Sequence, residues 1–175
     1  MSVERIAEWA LTDPDDRALA ALLDTAFETD FGGRSYYKQR HHMRIVHRDS
    51  GRIVGHMGIA YRTIRLGRRL VDICGLADVA TDPGLRGRGI ASGMLSEAIA
   101  FGRESGAEFF VLFGDRGLYA GQGFRPAPNR MRFVAIDGFR LIDVREDTDE
   151  GLMVLPLGDV AWDDAAEVDL LGPMF

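Results

Sequence analysis

Asp78-Val-Ala-Thr-Asp-Pro-Gly-Leu-Arg-Gly-Arg-Gly-Ile-Ala-Ser92 is the stretch that decides how the chain is read. Asp78 to Thr81 is short and β-compatible. Asp82-Pro83-Gly84 is turn chemistry, because proline fixes φ and glycine admits φ > 0. Arg86-Gly87-Arg88-Gly89 follows, and an apolar-periodic helix begins near Ile90. The sequence therefore reads as strand, turn, glycine-rich loop and helix N-terminus, flanked by two arginines. Exposed backbone N–H groups at such a terminus attract an anion, most often a phosphate or pyrophosphate.

Upstream, two hairpins in succession predict three antiparallel strands. Met43 to His47, Ile53 to Leu66 and Arg69 to Thr81 are joined by turns at Asp49-Ser50-Gly51 and Gly67-Arg68. Before them, Val3 to Leu11 reads as a strand. Thr12-Asp13-Pro14-Asp15-Asp16 opens a helix carrying Leu19, Leu22, Leu23, Ala26 and Phe27 on one face. Ser35 to His41 is expected to form a second short helix. Downstream, the helix from Ile90 sets Met94, Leu95 and Ala98 on one face beside Ile99, and ends at Ser105-Gly106. The apolar run Glu108 to Phe113 predicts a buried strand parallel to the one before the helix. Gly114 to Gly121 is a turn or short helix. Met131 to Ile136 and Leu152 to Leu157 are further strands, with Asp143 to Glu150 a polar loop between them. The expected class is α+β (mixed α/β): a central, mostly antiparallel twisted sheet with one parallel splayed junction and helices on both faces.

The 175 residues suit one domain, 1–175, with the acidic tail 159–175 part of it. No apolar run approaches the ~20 residues of a membrane span, and no signal peptide is visible, so a cytoplasmic protein without a membrane partner is expected. One cysteine, Cys74, rules out an internal disulfide and a cysteine-built metal cage. It reads as a small core residue. His41-His42 reads as a solvated pair without a third ligand at suitable spacing, so no metal is expected. The net charge of −6 is uneven: residues 137–175 hold 11 acidic and 2 basic side chains. That argues against nucleic acid as partner. It suits either a solubilised C-terminal end or an acidic segment facing a cationic substrate. A homodimer is compatible with the sequence.

Arg86-x-x-Gly89-x-Ala91 resembles the Q/R-x-x-G-x-G/A signature of the GNAT superfamily of acyl-coenzyme A-dependent N-acyltransferases. Leu118-Tyr119-Ala120-Gly121-Gln122-Gly123-Phe124 resembles its second landmark, a tyrosine followed four and five residues later by Gly-Phe. The resemblance covers the chain from Leu19 onward. Two branches are similar in further detail. The aminoglycoside 2′-N-acetyltransferases resemble it in Ala26-Phe27…Asp30-Phe31, in residues 79–89, in a late Val-Leu-Pro strand and in an aromatic C-terminus. The nodulation-type acyltransferases resemble it in His56-Met57-Gly58, in Pro83-x-Leu85, in the Gly158 to Trp162 spacing and in a closing Gly-Pro.

The resemblance implies transfer of an acyl group, expected to be acetyl, from acetyl-CoA or another acyl-CoA. The acceptor would be a primary amine of a small cationic or amino-sugar molecule, attacking directly in a ternary complex. It assigns the pyrophosphate to the backbone around Arg86, Gly87, Arg88, Gly89, Ile90 and Ala91. Val79, Ala80 and Thr81 would pair with the pantetheine arm, and Val79 N–H would serve the oxyanion. Tyr119 would be the general acid, because a phenol with pKa near 10 is protonated at pH 7. Related enzymes often place a glutamate just before the pantetheine contacts, but here the position is Ala77. Asp78 is the leading candidate for general base, although adjacent strand residues point to opposite faces unless a bulge intervenes. Asp72, His56, a water-mediated base and an already neutral amine are the alternatives. Asp30, His56 and Phe175 are the expected acceptor contacts. A non-catalytic acyl-CoA-binding module and a protein or peptide N-acetyltransferase are the competing readings.

Overall fold

The computed structural model describes residues 2–114 and 117–175. They fall into two compact units: 2–60 with 77–100, and 61–76 with 101–114 and 117–175.

In the first unit, β1 (Ser2–Ala7) pairs antiparallel with β2 (Met43–Asp49), which pairs with the first half of β3 (Arg52–Leu66). A one-turn 3-10 helix, Glu8–Ala10, stands where the sequence suggested that β1 would continue. Helix α1 (Asp13–Ala26) starts as its sequence dictates: Thr12 Oγ1 accepts from Asp15 N, Pro14 sits in the first turn, and acids line it. Its apolar stripe, Leu19, Leu22 and Leu23, packs against Val46, Ile53, Ala80 and Phe31. Each such aliphatic side chain stabilises the fold by about 1.5–3 kcal/mol on burial. Arg48 of β2 bonds Glu4 of β1 and Asp15 of α1, both at 2.9 Å. The β2–β3 turn has φ +50° at Ser50 and +82° at Gly51, the left-handed geometry that matches strand twist.

The end of β4 (Arg69–Thr81) and helix α2 (Ile90–Glu104) complete this unit through Ala100. Ile90, Met94, Leu95, Ala98 and Ile99 of α2 are buried. Gly55 of β3 makes room for that face, since a Cβ there would lie 2.8 Å from Met94 Cε.

The second unit has the strand order β6-β9-β5-β4-β3-β10-β7-β8. Here β5 is Phe109–Phe113, β6 Arg125–Pro126, β7 Arg130–Asp137, β8 Arg140–Thr148, β9 Leu152–Pro156 and β10 Val168–Pro173. A four-residue helix, α3, spans Gly117–Ala120. As expected, β5 runs parallel to β4. A second parallel pair, β10 with β7, was not foreseen. The core gathers Ile64, Ile73, Phe109, Val111, Val154 and Trp162, whose indole stands edge-on to Phe109 and donates to Asn129 Oδ1 (2.8 Å).

Two sequence expectations fail on local structure. Residues 35–41 form no helix. The Ser35 carbonyl and Tyr37 N–H instead bond side chains from β2 and β4. Asp143 to Glu150 is not simply a loop, because Arg140–Thr148 pairs along the whole of β7. Every residue of β8 is exposed, so no buried face marks it as a strand in the sequence.

Candidate functional site

In the first unit β4 leads straight into the glycine-rich loop. Asp82 organises the turn: one carboxylate oxygen accepts from Gly84 N (2.9 Å) and the other from Arg52 Nη1 (2.7 Å). Gly87 and Gly89 have φ of +78° and +76°, and a Cβ at either would meet no atom of the protein within 4 Å. The backbone is therefore both left-handed and open on that side. Arg86 and Arg88 are exposed, Ile90 is buried, and Gly93 N donates to Gly89 O (3.0 Å) as the first bond of α2. The amides of Ile90, Ala91 and Ser92 are the first-turn donors that a helix leaves unpaired internally. Together these features form a terminus suited to a phosphate or pyrophosphate.

Just before the loop, Asp78 has φ +47° inside β4. This is the local break in strand geometry that the sequence argument required for Asp78 to leave the ordinary alternation. Its carboxylate accepts from Tyr37 N (3.2 Å) and from His41 Nε2 (3.0 Å). Its carbonyl accepts from His56 Nδ1 (2.8 Å), and His56 Nε2 in turn accepts from Arg44 Nη1 (3.2 Å). The Nδ1–H tautomer of His56 is thus fixed by its two partners. Arg44, fully buried, grips both oxygens of Glu8 (2.8 and 3.0 Å) and donates to the Ser35 carbonyl (2.6 Å). Val79, Ala80 and Thr81 continue β4 from Asp78, with Ala80 buried and the other two half-buried.

Electrostatics follow from this network. Burial pushes His56 down to about 3, with His41 and Arg44 adding to the effect, so His56 is neutral at physiological pH. Burial would raise Asp78, but the hydrogen bond and charge of His41 outweigh it and hold the carboxyl below its usual range. Glu8 behaves alike: burial opposes, and hydrogen bonds from Arg44 and Arg40 prevail. Burial also lowers Lys38, against the opposing charge of Asp78.

The three expected acceptor contacts lie in three different settings. His56, expected at the acceptor, is wholly enclosed, and both of its ring nitrogens are used inside the fold, one of them on the Asp78 carbonyl. Asp30 is exposed, and its carboxylate closes a local turn through Gly32 N (2.6 Å). Phe175, in the second unit, is neither frayed nor free. Its ring lies on Gly75, where a Cβ would stand 2.7 Å from it, and beside Phe113 at 5.3 Å. Arg62 holds the tail by donating to the Leu170 and Pro173 carbonyls and stacking on Phe175.

Tyr119 of α3 is almost fully buried in the second unit, edge-on to Phe124 at 6.1 Å. Phe124 N and Gln122 N both donate to the Tyr119 carbonyl (3.1 and 3.0 Å), which explains the fixed spacing of Tyr119 and Gly123-Phe124. Asp115 and Arg116 of the Gly114 to Gly121 segment lie outside the described residues. Cys74 is buried, its thiol pushed up by burial, with Ser105 Oγ at 3.5 Å. Among the described residues no group of three or more His, Cys, Asp or Glu is arranged to hold a metal ion.

Sequence reasoning missed His41. Expected in solvent, it is buried, and its ring fills the space over Gly58, where a Cβ would lie 2.5 Å from it. Its partner Asp78 stands 37 positions away, a pairing that no local pattern signals.

A sequence profile described as Acetyltransferase (GNAT) domain matches residues 10–127. No curated protein matches the chain. Among solved structures, the GNAT family N-acetyltransferase YhbS from Escherichia coli in complex with CoA superposes with TM-score 0.68 at 20% identity, covering 97% of this chain and 88% of that one. A GNAT family acetyltransferase from Brucella melitensis in complex with acetyl-CoA gives 0.61 at 18% identity, covering 95% and 94%. The ribosomal-protein-S18-alanine N-acetyltransferase from Escherichia coli gives 0.61 at 17%, covering 91% and 97%. These likenesses establish a shared fold, and the profile match spans more than half of the sequence: the chain belongs to the GNAT acetyltransferase family.

Proposed function

We propose that the protein transfers an acetyl group from acetyl-CoA to the primary amine of a small cationic or amino-sugar acceptor. The observation that carries this reading is the left-handed, open backbone at Gly87 and Gly89 running into the N-terminus of α2. Main-chain N–H groups at such a site can bind a pyrophosphate with the help of the helix dipole. Arg86 and Arg88 would add charge at the rim. Val79, Ala80 and Thr81 would face the pantetheine arm, with Val79 N–H for the oxyanion.

Tyr119 would protonate the departing thiolate, leaving the thioester carbon bonded to the acceptor nitrogen. Asp78 is ionised at neutral pH and can receive the ammonium proton, with His41 Nε2 hydrogen-bonded to its carboxylate at 3.0 Å. A carboxyl held low is a weak base, so the contribution of Asp78 is greatest for acceptors whose own amine pKa is modest. Attack is direct, because the one thiol of the chain is buried and protonated.

The test is calorimetric binding of acetyl-CoA, followed by a thiol-release assay over amino-sugars, polyamines, amino acids and peptides. Binding with turnover on a small amine supports the reading. Absence of binding refutes it, and turnover confined to peptides moves the acceptor to the protein class.

A further inference from the structure

The outer edge of β8 is a feature of the second unit that the proposed reaction does not use. β8 ends the strand order, so among the described residues its far edge pairs with nothing. All nine residues are exposed, with Leu141, Ile142 and Val144 between 49% and 70% exposed. Phe139 at the hairpin tip is exposed as well. A long unpaired edge is a template for strand addition, and this one carries Leu141, Ile142 and Val144 among five charged residues. Native edges are blunted by proline or by charge; β8 has no proline, and its charges are of both signs, so they repel or attract an added strand according to register.

The sequence of the strand says what fits there. Two antiparallel copies related by a two-fold axis must pair residues whose numbers sum to a constant. The axis also keeps each side chain on its own face, so that constant is even. Centring on Val144 keeps the innermost pairs within the regular run 143–148, clear of the register shift at Ile142, which β7 leaves unpaired. It sets Asp143 opposite the copy's Arg145 and Arg145 opposite the copy's Asp143. These two already bond within the strand (3.1 Å), so the dyad makes a four-membered ring of alternating charge. Val144 meets its own copy on the other face, where Val134 is its neighbour on β7. An apolar stripe would then cross the axis. Moving the centre by one residue places Asp143 against Asp143 or Arg145 against Arg145, and like charges directly opposite are destabilising. Glu146, which falls opposite Ile142, is held by Arg130 of its own hairpin (2.9 Å).

We propose that β8 is a dimerisation edge whose partner is a second copy of this chain, added antiparallel in the register centred on Val144. Charge order selects this register over its neighbours, and it is charge that outweighs the pairing of Leu141 with the copy's Asp147 and of Ile142 with the copy's Glu146. Sedimentation equilibrium on the full chain tests it. The wild type is expected to show a monomer–dimer equilibrium. Asp143→Arg should weaken it about tenfold or more, because two attractive pairs become repulsive. The swap Asp143→Arg with Arg145→Asp rebuilds the same ring with reversed signs and should restore dimerisation. Val144→Lys should abolish it. Circular dichroism confirms that each variant is folded, as expected for exposed positions. A wild type monomeric at its highest soluble concentration overturns the proposal. So does a dimer indifferent to Asp143→Arg, or one that the swap fails to rescue.

Discussion

Gly58 lacks a side chain because the ring of His41 stands where a Cβ would be, 2.5 Å away. Gly58→Ala must displace that ring and with it the partner of Asp78. The expected cost is about 1–3 kcal/mol in a denaturant titration, as for other overpacked interiors. Tyr119→Phe keeps the ring contact with Phe124 and removes only the hydroxyl. It should lower kcat by about 10²-fold or more while leaving acetyl-CoA affinity nearly unchanged, measured by steady-state kinetics and calorimetry. An equal fall in affinity would reassign the tyrosine to holding the cofactor. At this scale the Tyr119 landmark was legible, because its spacing is enforced locally by two backbone bonds to its carbonyl. The partners of Asp78 were not. His41 and His56 reach it across 37 and 22 positions, and only the packed fold supplies those distances.

The glycine loop and α2 act as one element. Gly89→Ala puts a side chain at φ +76°, which costs about 1–2 kcal/mol of backbone strain although the space is empty. The same methyl would project from a backbone that a pyrophosphate must approach closely. A rise in the acetyl-CoA dissociation constant well beyond the loss of stability is therefore expected, read by calorimetry alongside thermal melts. The loop was readable from Asp82-Pro83-Gly84 and the glycines, since turn chemistry is local. The two segments that sequence misread, 35–41 and β8, lack that quality. The first takes its course from bonds to Arg44 and Asp78, and the second from pairing with β7.

Stability of the whole molecule should carry the signature of His56. Its folded pKa near 3 lies below the unfolded value of about 6.5, so between those values the unfolded chain binds a proton that the native chain does not. Stability should therefore decrease as pH drops through that window, by about 1.4 kcal/mol per unit from this group alone. Asp78 and Glu8, held low, add a further loss only as pH drops through their own range. Urea titrations from pH 7 to 5 should show the slope. His56→Asn, which keeps a donor for the Asp78 carbonyl, should flatten it, and an unchanged slope would remove His56 as its source. Saturating acetyl-CoA should raise the melting temperature, because a ligand at about 100 times its dissociation constant adds about 2.7 kcal/mol to native stability.

The sequence by itself determined the order of hairpins, the start and apolar face of each long helix, the parallel return of β5 and the glycine loop. Each rests on short-range rules: turn dihedrals, capping oxygens and the periods of buried side chains. Only the tertiary structure decided that β10 enters between β3 and β7, and that the polar segment 140–148 is a strand. It also decided that His41 lies inside, and that Asp78 is clamped by two buried histidines. Those outcomes depend on hydrogen bonds and packing between residues far apart in the chain. Burial, which sets both the partners and the charges, is a property of the assembled molecule and has no local signature.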